Sequence, residues 1–186
     1  MVELITGFDA AATAAIRDAS PVTPFLDSLF LFLSAQGSHL FLWVLLAGLL
    51  YVLHLTRSIR FIADVVGSFL LAAVLVQYVL KGQFARARPF AYELANTYGC
   101  PLDFSFPSGH AAAAFATATV FAAYDRKRAW VYFAIATLVA YSRIYLYCHF
   151  FLDTIVGAVI GTGISLALMK IRISRTHPPG QDATPR

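Results

Sequence analysis

The chain has 186 residues, of which 59% are hydrophobic and only 13% charged, with a mean hydropathy of +0.70. That balance lies outside the range of water-soluble globular domains and marks an integral membrane protein. The formal charge of +4 is spread over short Lys/Arg clusters between apolar runs. This is the pattern of loop anchors and not of a nucleic-acid groove, so no nucleic-acid partner is expected.

In chain order, FDAAATAAIRDAS within residues 1–20 suits an amphipathic helix lying on the membrane surface, although a frayed terminal tail fits the same residues. The start shows neither a secretory signal nor a lipidation motif, so the first membrane helix is expected to remain in the mature protein. A hydrocarbon core of about 30 Å requires roughly 20 helical residues. Apolar runs near 21–36, 38–55, 61–81, 108–124, 129–147 and 150–171 meet or approach that length. The first is short and holds Asp27, with Thr23-Pro24 supplying a helix start. The expected fold is therefore all-α, with six transmembrane helices in a single membrane domain over residues 1–176 and a flexible polar tail at 177–186.

An even number of spans puts both termini on one side. Arg57, Arg60, Arg126-Lys127-Arg128, Lys170, Arg172 and Arg175 then share that side, which the positive-inside rule assigns to the cytoplasm. The opposite face carries Lys81, Arg86, Arg88 and Arg143, together with a long aromatic-rich connection over 82–107 whose length suggests a functional loop.

Three polar clusters fall at the outer ends of the expected spans: KGQFARARP (Lys81 to Pro89), PSGH (Pro107 to His110) and SRIYLYCHFFLD (Ser142 to Asp153). Two guanidinium groups and an ammonium suit a phosphate, because Arg donors match phosphate oxygens bidentately. A Ser-Gly turn at a helix start adds backbone N–H groups and the positive end of the helix dipole. His149 and Asp153 are spaced i, i+4, so a helix beginning at or before His149 sets the carboxylate one turn below the ring. There it fixes the tautomer and leaves the other nitrogen free as a nucleophile. His110, heading another helix, is then available as a general acid. Each element also has a plain structural reading: snorkelling anchors for the cations, a satisfied bundle contact for His149–Asp153, and an N-cap for Ser108.

Lys81-x6-Arg88-Pro89, Pro107-Ser108-Gly109-His110 and Ser142-Arg143-x5-His149-x3-Asp153 together resemble the three-part signature of the type 2 phosphatidic acid phosphatase superfamily, in order and spacing. The resemblance covers about residues 60–172. It implies a six-helix membrane core and hydrolysis of a lipid phosphate or pyrophosphate through a phosphohistidine, with neither metal nor cofactor. Carried over by position, His149 is the nucleophile, Asp153 its orienting partner and His110 the acid. Lys81, Arg88, Ser108, Gly109 and Arg143 hold the phosphoryl oxygens. Arg86 and Ser142 are auxiliary, Arg86 being either a headgroup contact or an anchor.

Within the family the expected substrate is undecaprenyl pyrophosphate, with phosphatidate, phosphatidylglycerophosphate and lipid A as alternatives. The expected setting is a bacterial inner membrane with cytoplasmic termini and an outward-facing site. The other partners expected are membrane lipids, and the oligomeric state stays open. A phosphotransferase, a non-catalytic lipid-phosphate binder and, much less suited to this composition, a vanadium haloperoxidase are the rivals. Cys148 suits a small apolar filler beside His149, or a partner for Cys100 in a disulfide.

Overall fold

A computed structural model describes residues 2–35, 38–52, 58–89 and 100–176. The polar tail, Arg57 and the middle of the long connection lie outside these residues. The described residues are helical and contain no strand. Helix α1 (Val2–Asp18) is followed by α2 (Pro24–Ser34) and α3 (Ser38–Val52). Helix α4 (Ile59–Val74) opens into a π-helical stretch over Leu75–Leu80 and closes with the short α5 (Lys81–Phe84). Then come α6 (Gly109–Tyr124), α7 (Ala129–Tyr145) and α8 (Phe151–Thr176).

Local chemistry sets these boundaries. Thr23 Oγ1 accepts the Leu26 N–H at 3.2 Å with Pro24 in the first turn, and Ser58 Oγ caps α4 through the Arg60 N–H. Ala85 ends α5 in the left-handed region at φ 44°, and Tyr147 takes the same conformation at φ 59° between α7 and α8. The second of these turns folds the Cys148 and His149 N–H groups back onto the Arg143 carbonyl, at 2.9 and 3.1 Å.

Helix α6 is the axis of the bundle, packed against α4, α7 and α8. In lipid the hydrocarbon solvent is as apolar as the side chains, so close backbone approach and dispersion must hold helices together. Ala111 to Ala114 are buried, their small side chains permitting such approach. Opposite them, a Cβ on Gly161 would overlap the Ala112 carbonyl, and one on Gly157 would press on the Ser108 carbonyl. Away from the polar clusters, Trp43, Phe61 and Tyr132 pack their rings around Phe121.

Among the described residues, two segments are long and apolar enough to cross a membrane by themselves, Ile59–Phe84 and Phe151–Arg172; α2 and α3 are shorter. Helix α1 packs where α8 begins, with Asp9 and Thr13 bonded to the Leu152 and Phe151 N–H groups. The last turns of α8 lie at the other end of the bundle, where Arg172 meets Asp64 and the Arg60 carbonyl. Helix α1 and the last described turns of α8 therefore occupy opposite ends of the bundle. The apolar run at 21–36, short in the sequence, forms a helix of 11 residues.

Candidate active site

The three polar clusters converge at the end of the bundle that α1 covers. Lys81, Arg88, Gly109, His110 and His149 line one cavity of about 310 Å³, with Asp103 on its wall. Three elements deliver them. The π-helical stretch immediately precedes Lys81, a device that recurs where a helix must re-aim a functional side chain. Ser108 caps α6, its Oγ accepting from the Ala111 N–H at 3.4 Å, so that Gly109 and His110 form the helix's first turn. The left-handed Tyr147 turn then presents His149.

His149 is 1% exposed and held from two sides. Arg88 Nη1 lies 3.1 Å from Nε2. A guanidinium can only donate, so Nε2 is the acceptor and its lone pair points at the cavity's cations, leaving the proton on Nδ1. Nδ1 faces Asp153 Oδ2 at 3.5 Å, longer than a formed hydrogen bond. The helix starts at Phe151, later than the i, i+4 argument assumed. The two groups meet because Asp153 Oδ2 also accepts the Phe150 N–H at 2.9 Å and so reaches back over the turn. Burial first, then the charges of Arg88, Arg143 and Lys81, push the His149 imidazole well below its usual pKa. A neutral ring is what such surroundings favour.

The cation cluster carries a carboxylate that the sequence argument did not single out. Asp103 accepts from Lys81 Nζ and from Gln77 Nε2, the latter at 2.9 Å, through Oδ2, and from Arg88 Nη2 through Oδ1. Burial raises its carboxyl, but the bonds from Lys81, Gln77 and Arg88 outweigh that and hold it at about 2. Arg88 also donates to the Asp103, Phe104 and Cys148 carbonyls. Its guanidinium thus spans from the loop anion to the His149 ring. Asp103 was legible only as an acid set among basic and aromatic residues in the 82–107 connection.

The remaining predicted residues divide. Arg143 is fully buried; Nη1 donates to the Ser34 carbonyl at 3.2 Å, while Nε and Nη2 have no hydrogen-bond partner among the described residues. Ser108 and Ser142 are also fully buried, with the Ser142 hydroxyl turned back to the Val139 carbonyl at 2.7 Å, and neither lines the cavity. Arg86 is held by two carboxylates. It sits between Asp153 Oδ1 at 2.6 Å and Asp9 Oδ2 at 2.7 Å, its guanidinium 3.9 Å above the Phe150 ring. Two carboxylates and an aromatic face outcompete the bilayer surface for this cation. Cys148 is no simple filler: it is bonded to Cys100, with their Cα atoms 5.6 Å apart, tying the end of the long connection to the residue before His149.

The sequence profile of the PAP2 superfamily matches residues 61–176. The chain belongs to the PAP2 superfamily. Among curated PAP2-related proteins, an undecaprenyl-diphosphatase of Sulfolobus acidocaldarius is 36% identical over 82% of this chain and 73% of its own length. A lipid A 4'-phosphatase of Porphyromonas gingivalis is 28% identical over 80% of this chain and 66% of its own. The crystal structure of Aquifex aeolicus LpxE superposes with a TM-score of 0.68 at 31% identity, covering 86% of this chain and 93% of that one. A transmembrane PAP2-type phosphatidylglycerolphosphate phosphatase of Bacillus subtilis matches with a TM-score of 0.62 over 95% and 90% of the two chains. At 24% identity that second likeness bears on the fold alone. This PAP2 protein is thus a membrane hydrolase of the lipid phosphatase class.

Proposed function

We propose that the chain removes a phosphate from a lipid pyrophosphate or lipid phosphate through a phosphohistidine at His149, with undecaprenyl pyrophosphate as the favoured substrate. The observation that carries this reading is the His149 ring. Its Nε2 lone pair is fixed by Arg88 at 3.1 Å within a cavity that also holds Lys81 and His110.

In the first step Nε2 attacks the terminal phosphorus and its bond to the leaving oxygen breaks, the bridging oxygen of a pyrophosphate or the ester oxygen of a lipid monophosphate, with His110 protonating that oxygen. In the second step water attacks phosphorus, His110 takes the water's proton, and the P–N bond breaks to release inorganic phosphate and neutral His149. Asp153 orients Nδ1–H and stabilises the imidazolium. Lys81, Arg88 and the Gly109 N–H hold the phosphoryl oxygens, and the two unpartnered donors of buried Arg143 are suited to charge that develops in the transition state. Ser108 acts through its cap on α6, and Ser142 through the helix that carries Arg143.

The undecaprenyl preference draws on the Sulfolobus relative's name and on how little of this chain stands outside the helices to recognise a large headgroup. The lipid A alternative draws on the Porphyromonas relative.

Residues 1–176 act as one phosphatase unit. The positive-inside rule favours the end of the bundle bearing Arg60, Arg126-Lys127-Arg128 and Arg172 as the cytoplasmic one. The site, and α1 with it, then face outward, in keeping with a disulfide at the site's rim. The helices cross five times, α2 and α3 together making one pass.

Purified protein should release phosphate from undecaprenyl pyrophosphate, or from another lipid of a panel with phosphatidate, phosphatidylglycerophosphate and lipid A, with EDTA present. A strict magnesium requirement overturns the metal-free mechanism. His149→Ala should abolish turnover and an acid-labile phosphoenzyme, and normal activity in that variant overturns the assignment of the nucleophile.

A further inference from the structure

Helix α1 has the composition of a helix lying on a membrane surface, yet it buries an acid: Asp9 is 1% exposed. Its Oδ1 accepts the Leu152 N–H at 2.8 Å and its Oδ2 pairs with Arg86 Nη1 at 2.7 Å. One turn on, Thr13 Oγ1 accepts the Phe151 N–H at 2.9 Å and donates to the Asp9 carbonyl at 2.6 Å. Helix α1 therefore caps α8 from outside, satisfying two of the N–H groups that a helix start leaves without intrahelical partners. That explains the hydrogen bonds of Asp9 but not its charge, since a neutral amide would cap as well.

The charge has a separate consequence. Arg86 Nη1 is shared between Asp9 and Asp153. Alone beside Asp153, Arg86 would cancel the negative charge behind His149 Nδ1. With Asp9 present the three groups keep one net negative charge there. Phosphorylation at Nε2 makes the imidazole ring a cation, while Arg88, Lys81 and Arg143 already crowd it with positive charge. In a buried site that remaining charge is weakly screened.

We propose that Asp9 is a positioning residue for phosphoryl transfer: by holding and neutralising Arg86 it leaves Asp153 free to align and stabilise His149. The proposal rests on the phosphohistidine reading above.

Full-length protein in detergent micelles tests it. Asp9→Asn keeps an oxygen for the Leu152 N–H and replaces the carboxylate oxygen that faces Arg86 with an uncharged amide nitrogen. It should lower kcat on undecaprenyl pyrophosphate about 10- to 100-fold, the range for outer partners that orient a reactive histidine, with KM nearly unchanged. The double variant Asp9→Asn/Arg86→Gln restores one net negative charge and should recover part of that loss, which a structural role for Asp9 cannot produce. Binding of orthovanadate, a mimic of five-coordinate phosphorus, should weaken and recover in parallel. Activity of Asp9→Asn within twofold of wild type, or a double variant no better than Asp9→Asn, overturns the proposal. If wild type turns over no lipid phosphate, the phosphatase reading fails on that result, while the orthovanadate series still decides the role of Asp9.

Discussion

Arg88 joins Asp103 to His149: one terminal nitrogen donates to the loop carboxylate and the other, 3.1 Å away, to the ring nitrogen. The two cations that line the cavity with His149 therefore already hold an anion, supplied by the protein's own loop.

That relationship makes Asp103→Asn informative. Asp103 helps to fix Lys81 and Arg88, but it also opposes any incoming phosphate. Two unit charges about 5 Å apart repel by roughly 3 kcal/mol at the effective dielectric of such sites, and an Asn side chain keeps an oxygen that can still accept from Lys81 or Arg88. We expect Asp103→Asn to bind orthovanadate and inorganic phosphate more tightly than wild type, measured by titration calorimetry, and to be more sensitive to product inhibition. Weaker binding would mean that orientation of the cations dominates.

The pH dependence follows from His149. The folded protein holds its imidazole well below the ordinary value, by burial and then by Arg88, Arg143 and Lys81. The ring is nucleophilic only when neutral, so activity should persist below the ordinary histidine range of about 6.5 and fall as pH drops through the lowered value. Removing one of the causes, in Arg88→Gln, should move this acidic limb upward. Profiles of kcat/KM for both proteins on one substrate make the comparison, since the substrate's own ionisation is common to both.

Gly157 couples helix packing to the site. A Cβ there would lie 2.5 Å from the Ser108 carbonyl oxygen, which accepts the Ala112 N–H in the first turn of α6. Gly157→Ala should cost about 1–3 kcal/mol, the usual toll of overpacking. It should also lower kcat in the protein that remains folded, because the turn that moves carries Gly109 and His110. Thermal unfolding and turnover of the folded fraction separate the two effects.

The opposite placement of α1 and the far end of α8 can be read by labelling. With Cys100 and Cys148 joined, a cysteine introduced at exposed Gly7 or Lys127 is the reactive thiol. In intact cells a membrane-impermeant maleimide should modify Gly7→Cys, and should reach Lys127→Cys only after permeabilisation. Labelling of both from one side would overturn the five-pass topology.

The sequence by itself determined a great deal. Its hydropathy required a membrane protein, and the residue types and spacings of Lys81, Arg88, His110, His149 and Asp153 pointed to phosphate chemistry, because those are the groups that bind a phosphoryl unit and attack it. Ser108 at the head of α6 and Thr23-Pro24 at the head of α2 were legible because capping is a local interaction.

Only the tertiary structure decided what depends on residues far apart in the chain. It set Asp103 across Lys81 and Arg88, buried Asp9 against Arg86, and bonded Cys100 to Cys148. It also turned Arg86 inward and put α1 at the site's end of the bundle. Composition assigns an isolated acid or arginine to the membrane surface, since solvation there is its cheapest state. A buried counter-charge contributed from another element reverses that preference, and no local pattern in the sequence announces the pairing.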